Sequence, residues 1–421
     1  MLLKDSISQL EPMSAVYAVN RALRKIDQRL VDHGERVAYI ACKLQEYGAL
    51  PMDVKTLFLL SIFHDVGAYK TDEIDRMVEF ETHDVWDHAI YGYLFLKYLS
   101  PLKECAEAIL YHHCSWEEIE KANIAYGDYA QLIHLADRID IVSSYEEDSV
   151  EFFKLWNNES NLFNPAYLDV FHQCFQNGKF FEELTNETYQ AVNLERCRAF
   201  QMQVDEVLDY LKMIVHAIDF RSEYTVTHTI NTVSISIKIA EHFHLSQEET
   251  ERIYLGALFH DVGKVAIPTE ILEFPGKLTD EQMRVMRTHV YETEQLISGI
   301  IPDAICKIAI RHHEKLDGSG YPHGITGDKL SFAERIVAVA DIVSALSSKR
   351  SYKQPFPKEK TLIILADMAK AQLDATICDY VQHNYDAIME STENERKAII
   401  AKYLMITHEY EVLRQKFLQP A

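Results

Sequence analysis

The chain has 421 residues, 48% of them hydrophobic and 11% aromatic, which is enough to build two or more buried cores and excludes a disordered polymer. Its 14 glycines and 11 prolines leave long uninterrupted segments, which excludes a turn-dense all-β architecture and points to an all-α fold. With 65 acidic against 42 basic residues the formal charge is -23, which opposes the broad phosphate contact of polymeric nucleic acid but leaves room for a small anion held locally.

The opening run Met1-Leu2-Leu3-Lys4-Asp5-Ser6 turns polar too early for a signal peptide, and no stretch approaches about 18 consecutive apolar residues. A soluble, cytoplasmic protein with no membrane partner is the expectation. The seven cysteines (Cys42, Cys105, Cys114, Cys174, Cys197, Cys306, Cys378) are odd in number, scattered and without Cys-x-x-Cys spacing, so reduced thiols are expected.

In chain order, the first chemistry-bearing residue is His33, which precedes Val37, Ile40, Ala41 and Leu44 at helical spacing. His64-Asp65-Val66-Gly67, His88, the pair His112-His113 and Asp137 in Leu135-Ala136-Asp137-Arg138 follow. Imidazoles mixed with carboxylates suit iron, manganese, zinc or nickel, whereas calcium and magnesium prefer oxygen ligands alone. A lone helical histidine is more often an ordinary core or surface residue, and His83, His172, His216, His242, His244 and His323 are read that way.

Residues 151–205 are rich in aromatics (Phe152, Phe153, Trp156, Phe163, Tyr167, Phe171, Phe175) and lack linker composition, which predicts a helical connector packed against both neighbours. A second series then opens at His228. Val233, Ile235, Ile237 and Ile239 alternate with period two, which alone would predict a strand, but the helical counterpart in the first series makes helix the expectation. The series continues through His260-Asp261-Val262-Gly263-Lys264, His289 and His312-His313, then the loop Glu314-Lys315-Leu316-Asp317-Gly318-Ser319-Gly320-Tyr321-Pro322, and ends at Asp341. Beyond Pro357, Ile364, Leu365 and Met368 share one helical face and predict a C-terminal helical cap.

The two series share one order and nearly one spacing. His33 to His64 is 31 positions and His228 to His260 is 32; His88 to His112 is 24 and His289 to His312 is 23. A period near 195 residues describes a duplicated domain rather than a solenoid of 20 to 50 residues per repeat. The copies differ where Ala68 stands in place of Lys264, and where Cys114-Ser115-Trp116-Glu117 replaces the glycine loop.

Residues 206–375, with their ordered histidines, His-Asp doublet, terminal aspartate and glycine-tyrosine-proline loop, resemble the HD-GYP phosphodiesterases of the HD superfamily. The resemblance implies two tandem helical bundles: an N-terminal HD domain lacking the loop (1–150), the connector (151–205), an HD-GYP catalytic domain (206–375) and the cap (376–421). It implies hydrolysis of a cyclic dinucleotide, cyclic di-GMP or mixed 3',3'-cyclic GMP-AMP, to a linear 5'-phosphoryl dinucleotide. His228, His260, Asp261 and Asp341 would hold one divalent transition metal and Asp261, His289, His312 and His313 another, with iron or manganese favoured and zinc or nickel as alternatives. Where some members place a glutamate for a third ion this chain has Tyr224, so two ions are expected.

Asp261 and Lys264 would be catalytic, and Lys264, Gly320, Tyr321, Pro322, Arg350 and Lys353 would contact substrate. Ser344 stands where many members carry a guanine-reading aspartate, which leaves the choice between the two substrates open. His33, His64, Asp65, His88, His112, His113 and Asp137 would form a second metal site, serving a nucleotidase step or surviving in a degenerate domain. A cyclic dinucleotide-binding regulator and a general nucleotide phosphohydrolase are the alternatives for the whole chain, and a homodimer is expected by analogy with helical HD domains.

Overall fold

The computed structural model describes residues 13–70, 86–143, 157, 161–175, 179–221, 223–348 and 354–417. Among the described residues there are helices but no strand, and only isolated bridges join Ser298 to Ile301 and Asp317 to Thr326. No helix among them is long and apolar enough to cross a membrane.

The chain forms two compact units, and each is discontinuous in sequence. One comprises Asp27–Met202 with Met405–Ala421; the other comprises Met1–Ile26 with Gln203–Leu404. This differs from the contiguous division expected from the sequence, and the packing of the terminal helices explains the difference.

In the first unit, Asp27 caps the helix Gln28–Gly48 by accepting a hydrogen bond from the Arg29 amide at 2.8 Å, and Ala49 ends it in the left-handed region at φ 47°. Val37, Ile40, Ala41 and Leu44 are fully buried along one face of this helix. The described part of the connector up to Met202 belongs to this unit. Its helices Pro165–Phe175, Lys179–Thr185 and Tyr189–Ala199 bury Phe163, Tyr167 and Phe171. They tie to the Gln28–Gly48 helix through Asn193 Nδ2 donating to the Glu35 carbonyl (2.8 Å), Arg196 pairing with Glu46 (2.7 Å) and the Tyr39 hydroxyl donating to Glu183. Phe152, Phe153 and Trp156 lie outside the described residues, as does the side chain of Phe175. The end of the chain returns here because Tyr410 stacks on Tyr91 with centroids 4.1 Å apart and donates to Asp87 at 2.7 Å, while Lys97 meets Glu409 at 2.6 Å.

In the second unit the core joins Ile235, Ile239, Ile253, Ile336, Val339, Val343, Leu365, Ile377, Val381 and Ile388. Ser246 with Glu249, Thr279 with Gln282 and Ser331 with Glu334 form capping boxes that start three of its helices. The period-two alternation around Ile235 lies on the helix Glu223–His242, where Ile235 and Ile239 are fully buried, four positions apart. Ser234 and Ser236 are buried as well, so the helix is enclosed on a wide face and the alternation carries no strand information. The N-terminal helix Ser14–Arg24 packs in this unit, against the helix Val204–Arg221 and the turn Val262–Ala266, and Lys25 pairs with Glu292 at 2.8 Å. The helix Ala375–Phe417 starts in the core of this unit with Ile377, Cys378 and Val381, so it is more than an outer cap.

Candidate metal centres and active site

Five histidines use one local device. His260, His289 and His312 place Nδ1 at 2.7, 2.6 and 2.6 Å from the carbonyl three residues earlier, of Ala257, Met286 and Ala309. His64 and His112 do the same with Ser61 at 2.8 Å and Ile109 at 2.6 Å. Nδ1–H donates to the carbonyl, which fixes the tautomer and turns the Nε2 lone pair inward as a ligand atom.

In the second unit those lone pairs converge on Asp261. Its Oδ2 lies 3.3 Å from His228 Nε2 and 3.1 Å from His260 Nε2, while its Oδ1 lies 3.5 Å from His289 Nε2 and 4.0 Å from His312 Nε2. One carboxylate therefore spans two histidine groups. Asp341 adds its Oδ1 at 3.1 Å from His228 Nε2 and its Oδ2 at 3.7 Å from His313 Nδ1. Ligand atoms of His228, His260 and Asp261 form one group that could hold an ion, and those of His289, His312 and His313 form another.

Burial would raise the Asp261 carboxyl, but His260, Lys264 and the hydrogen bond from His228 hold it well below the usual carboxylate range. Burial lowers His289 to about 4 and His312 to about 3, so both imidazoles are neutral and able to bind metal near neutral pH. Lys264 Nζ sits 2.5 Å from Asp261 Oδ2, from the turn Val262–Ala266. A built set of imidazoles, with His289 and His312 neutral, around two charged carboxylates fits divalent transition metals.

The loop after His313 is shaped by close approach. A Cβ at position 320 would lie 2.5 Å from Glu314 Cα, the His313 carbonyl oxygen and the Lys315 nitrogen, so only glycine lets the loop fold back over its own start. Gly318 supplies φ +76°. Glu314 is 1% exposed and takes the amides of His323 at 2.7 Å and Ile325 at 2.9 Å on its two oxygens, stapling the far side of the loop. Tyr321 donates its amide to the His313 carbonyl at 3.2 Å and lays its ring over the His313 imidazole, centroids 4.5 Å apart.

The first unit repeats the arrangement. Asp65 Oδ2 lies 3.8 Å from His33 and 3.4 Å from His64, and Oδ1 lies 3.7 Å from His88 and 3.8 Å from His112, while Asp137 meets His33 Nε2 at 3.2 Å. His88 Nε2 and His113 Nε2 are 2.9 Å apart. His64 Nε2, His112 Nε2 and Asp65 Oδ1 are buried without a hydrogen-bond partner, a condition that a coordinated cation relieves. Ala68 is buried where the other unit has Lys264. Beyond His113, His134 and Phe163 occupy the space instead of a glycine loop, with His134 5.8 Å from the His113 ring and 4.9 Å from Phe163.

All the predicted ligands of each series thus lie together, with Lys264, Gly320 and Tyr321 beside those of the second. Arg350 and Lys353 lie outside the described residues, as does the Tyr224 side chain. Ser344, three positions beyond Asp341, supports a histidine of the site. It is fully buried, accepts from His228 Nδ1 at 2.8 Å and donates to the His228 carbonyl at 3.0 Å, so it orients a ligand and offers nothing to a nucleobase. Asp140 and Arg36 were missed. Asp140 accepts from His33 Nδ1 at 2.7 Å and from Arg36 at 2.6 Å, and burial, which would lower His33, is outweighed by Asp137 and Asp140, which lift it to about 10. The available signal was the three-residue spacing of Asp137 and Asp140, which puts both on one face of the helix Gly127–Ser143.

A helical bundle whose dispersed histidines meet a His-Asp doublet and a distal aspartate defines the HD-domain class. The HD domain family matches residues 30–141 and again residues 212–377. The chain belongs to the HD-domain family and carries two copies of the domain. It is 26% identical over 393 residues to the 3'3'-cGAMP-specific phosphodiesterase 1 of Vibrio cholerae, covering 88% of this chain and 91% of that protein. It is 39% identical over 181 residues to the cyclic di-GMP phosphodiesterase response regulator RpfG of Xanthomonas campestris, covering 42% of this chain and 48% of the relative. A solved structure of a cyclic GMP-AMP specific phosphodiesterase from V. cholerae shares the fold with a TM-score of 0.51 at 19% identity, over 91% of this chain and 97% of that one.

Proposed function

We propose that the chain is a metal-dependent phosphodiesterase that opens a cyclic dinucleotide, mixed 3',3'-cyclic GMP-AMP or cyclic di-GMP, at the second-unit site. The observation that carries this reading is Asp261, whose two oxygens face two separate histidine groups while Lys264 rests on one of them and Tyr321 covers His313. The names of the relatives support the substrate class. His228, His260, Asp261 and Asp341 would hold one divalent ion and Asp261, His289, His312 and His313 a second, iron or manganese before zinc or nickel. Such ions, when bound, supply Lewis-acid polarisation of the diester and activation of the attacking water.

The residues of the chain do the rest. Lys264 offsets charge that builds on the phosphoryl oxygens, and the fixed tautomers of His260, His289 and His312 hold the site without reorganisation. Gly320 and Tyr321 wall the site beside His313, and Arg350 and Lys353 are assigned to substrate phosphate or base edges. One water adds across one diester: a phosphorus–oxygen bond forms, the bond to the 3' oxygen breaks, and a proton passes to that oxygen. The product is a linear dinucleotide with a 5'-phosphate. The test is turnover of both cyclic dinucleotides by protein loaded with iron, manganese, zinc or nickel, beside Asp261→Ala. Cleavage lost in the variant supports the reading, and no cleavage with any of the four metals overturns it.

A second reading concerns the first unit. Its Asp65 spans two histidine groups as Asp261 does, yet the unit has neither a lysine at position 68 nor the glycine loop. We infer that it removes a terminal phosphate from the linear product, a monoester that presents no ring to accommodate.

A further inference from the structure

We infer that Arg287 is a substrate-binding residue that receives the uncleaved phosphodiester of the cyclic dinucleotide. The inference rests on the phosphodiesterase reading above. Arg287 ends the helix Asp280–Arg287, two positions before His289. Its guanidinium carbon lies 4.9 Å from the centroid of the Tyr321 ring. Tyr321 lies in turn 4.5 Å from the His313 ring at an interplanar angle of 31°. The three side chains form a column that leads from solvent to the ligands of the second histidine group.

Arg287 is exposed, and no carboxylate among the described residues pairs with it. The other arginine of the helix behaves otherwise: Arg284 is paired with Glu281 at 2.7 Å. In a chain of formal charge -23, this cation is held by an aromatic face beside the metal-site loop without a counter-ion among the described residues. Stacking restrains the long side chain without neutralising it, so its planar N–H fork stays available to an incoming anion.

The partner follows from the substrate's chemistry. A cyclic dinucleotide carries two phosphodiesters in one ring. The one to be cleaved must meet the Asp261 cluster and Lys264, and Lys264 is already engaged with Asp261 at 2.5 Å. The other needs a separate cation at the rim of the site. Arg287 is fixed against the loop that walls the site, and its fork matches two phosphate oxygens.

The experiment uses the full chain loaded with manganese, as wild type, Arg287→Ala and Arg287→Lys, with equal metal content verified by elemental analysis. Steady-state constants are measured on the cyclic dinucleotides and on bis(4-nitrophenyl) phosphate, a diester with a single phosphate. The expected result is that Arg287→Ala raises KM for the cyclic dinucleotide about tenfold, with kcat within about twofold and small-diester hydrolysis unchanged. Arg287→Lys should recover part of that loss, because the charge stays while the fork goes. An unchanged KM for the cyclic substrate in Arg287→Ala, or equal losses on both substrates, overturns the inference; the second outcome would make Arg287 only a prop for Tyr321. Failure of the wild type to cleave any cyclic dinucleotide overturns the parent reading and this inference together, whereas wild-type cleavage that Arg287→Ala matches overturns the inference alone.

Discussion

Ser344 Oγ lies 2.8 Å from His228 Nδ1, and three residues beyond the distal aspartate of the other unit Asp140 holds His33 Nδ1 at 2.7 Å. The same helical position therefore orients the first histidine in both units, once with a neutral hydroxyl and once with a carboxylate shared with Arg36. Removing the hydroxyl leaves a buried N–H without its acceptor and frees the ring to turn. Ser344→Ala should weaken metal binding by about tenfold, read by chelator competition on otherwise folded protein. Equal affinity in wild type and variant would show that His228 needs no such restraint.

The duplicated aspartates allow the two units to be tested separately. Asp261→Ala should abolish ring opening, by on the order of a thousandfold or more, because it removes the carboxylate that both histidine groups face. Asp65→Ala should leave ring opening intact and abolish release of inorganic phosphate from the linear dinucleotide. Phosphate release that survives Asp65→Ala would leave the first unit without the proposed nucleotidase step.

Glu314 is the hidden member of the loop. Both its oxygens accept loop amides at 2.7 and 2.9 Å, so Glu314→Ala strands two donors at a cost of about 1–3 kcal/mol each if they stay buried. The expected outcome is faster amide exchange at His323 and Ile325 and a raised KM, with the helices flanking the loop still protected. Exchange at those two amides that does not change would remove the staple from the account.

The sequence made the ligand order, the duplication and the all-α class legible because each is carried by residue identity and spacing. What it obscured has physical causes. The exchange of terminal helices between units leaves no trace in composition: Ser14–Arg24 buries its apolar face like any amphipathic helix, and the pattern does not say against which partner. The support that Ser344 gives His228 was not legible because position within the series points to the site but does not distinguish a side chain facing substrate from one buried behind a ligand. The alternation at Ile235 pointed to a strand where helix was expected and found, because buried serines on an enclosed helix imitate the polar face of a strand.

Gly263 and Gly67 record how closely the His-Asp turn must approach the next histidine helix. A Cβ on Gly263 would meet the His289 carbonyl oxygen at 1.9 Å and the Thr293 nitrogen at 2.4 Å, and one on Gly67 would meet the His88 carbonyl oxygen at 2.0 Å and the Gly92 nitrogen at 2.4 Å. The obstructing atoms are backbone, so no side-chain rotation relieves the contact, and the turn and helix must part. The Gly263 amide donates to Thr293 Oγ1 at 2.9 Å, and that hydroxyl donates to the His260 carbonyl at 3.2 Å, so separation also breaks the link between the turn and the His289 helix. Gly263→Ala should cost about 1–3 kcal/mol or more in denaturant unfolding and eliminate ring opening, because His289 moves away from Asp261. Gly67→Ala should destabilise the first unit by a similar amount and leave ring opening in place. A Gly263→Ala protein with wild-type stability and activity would mean that the turn can move aside without disturbing His289, and the close approach would lose its role in building the site.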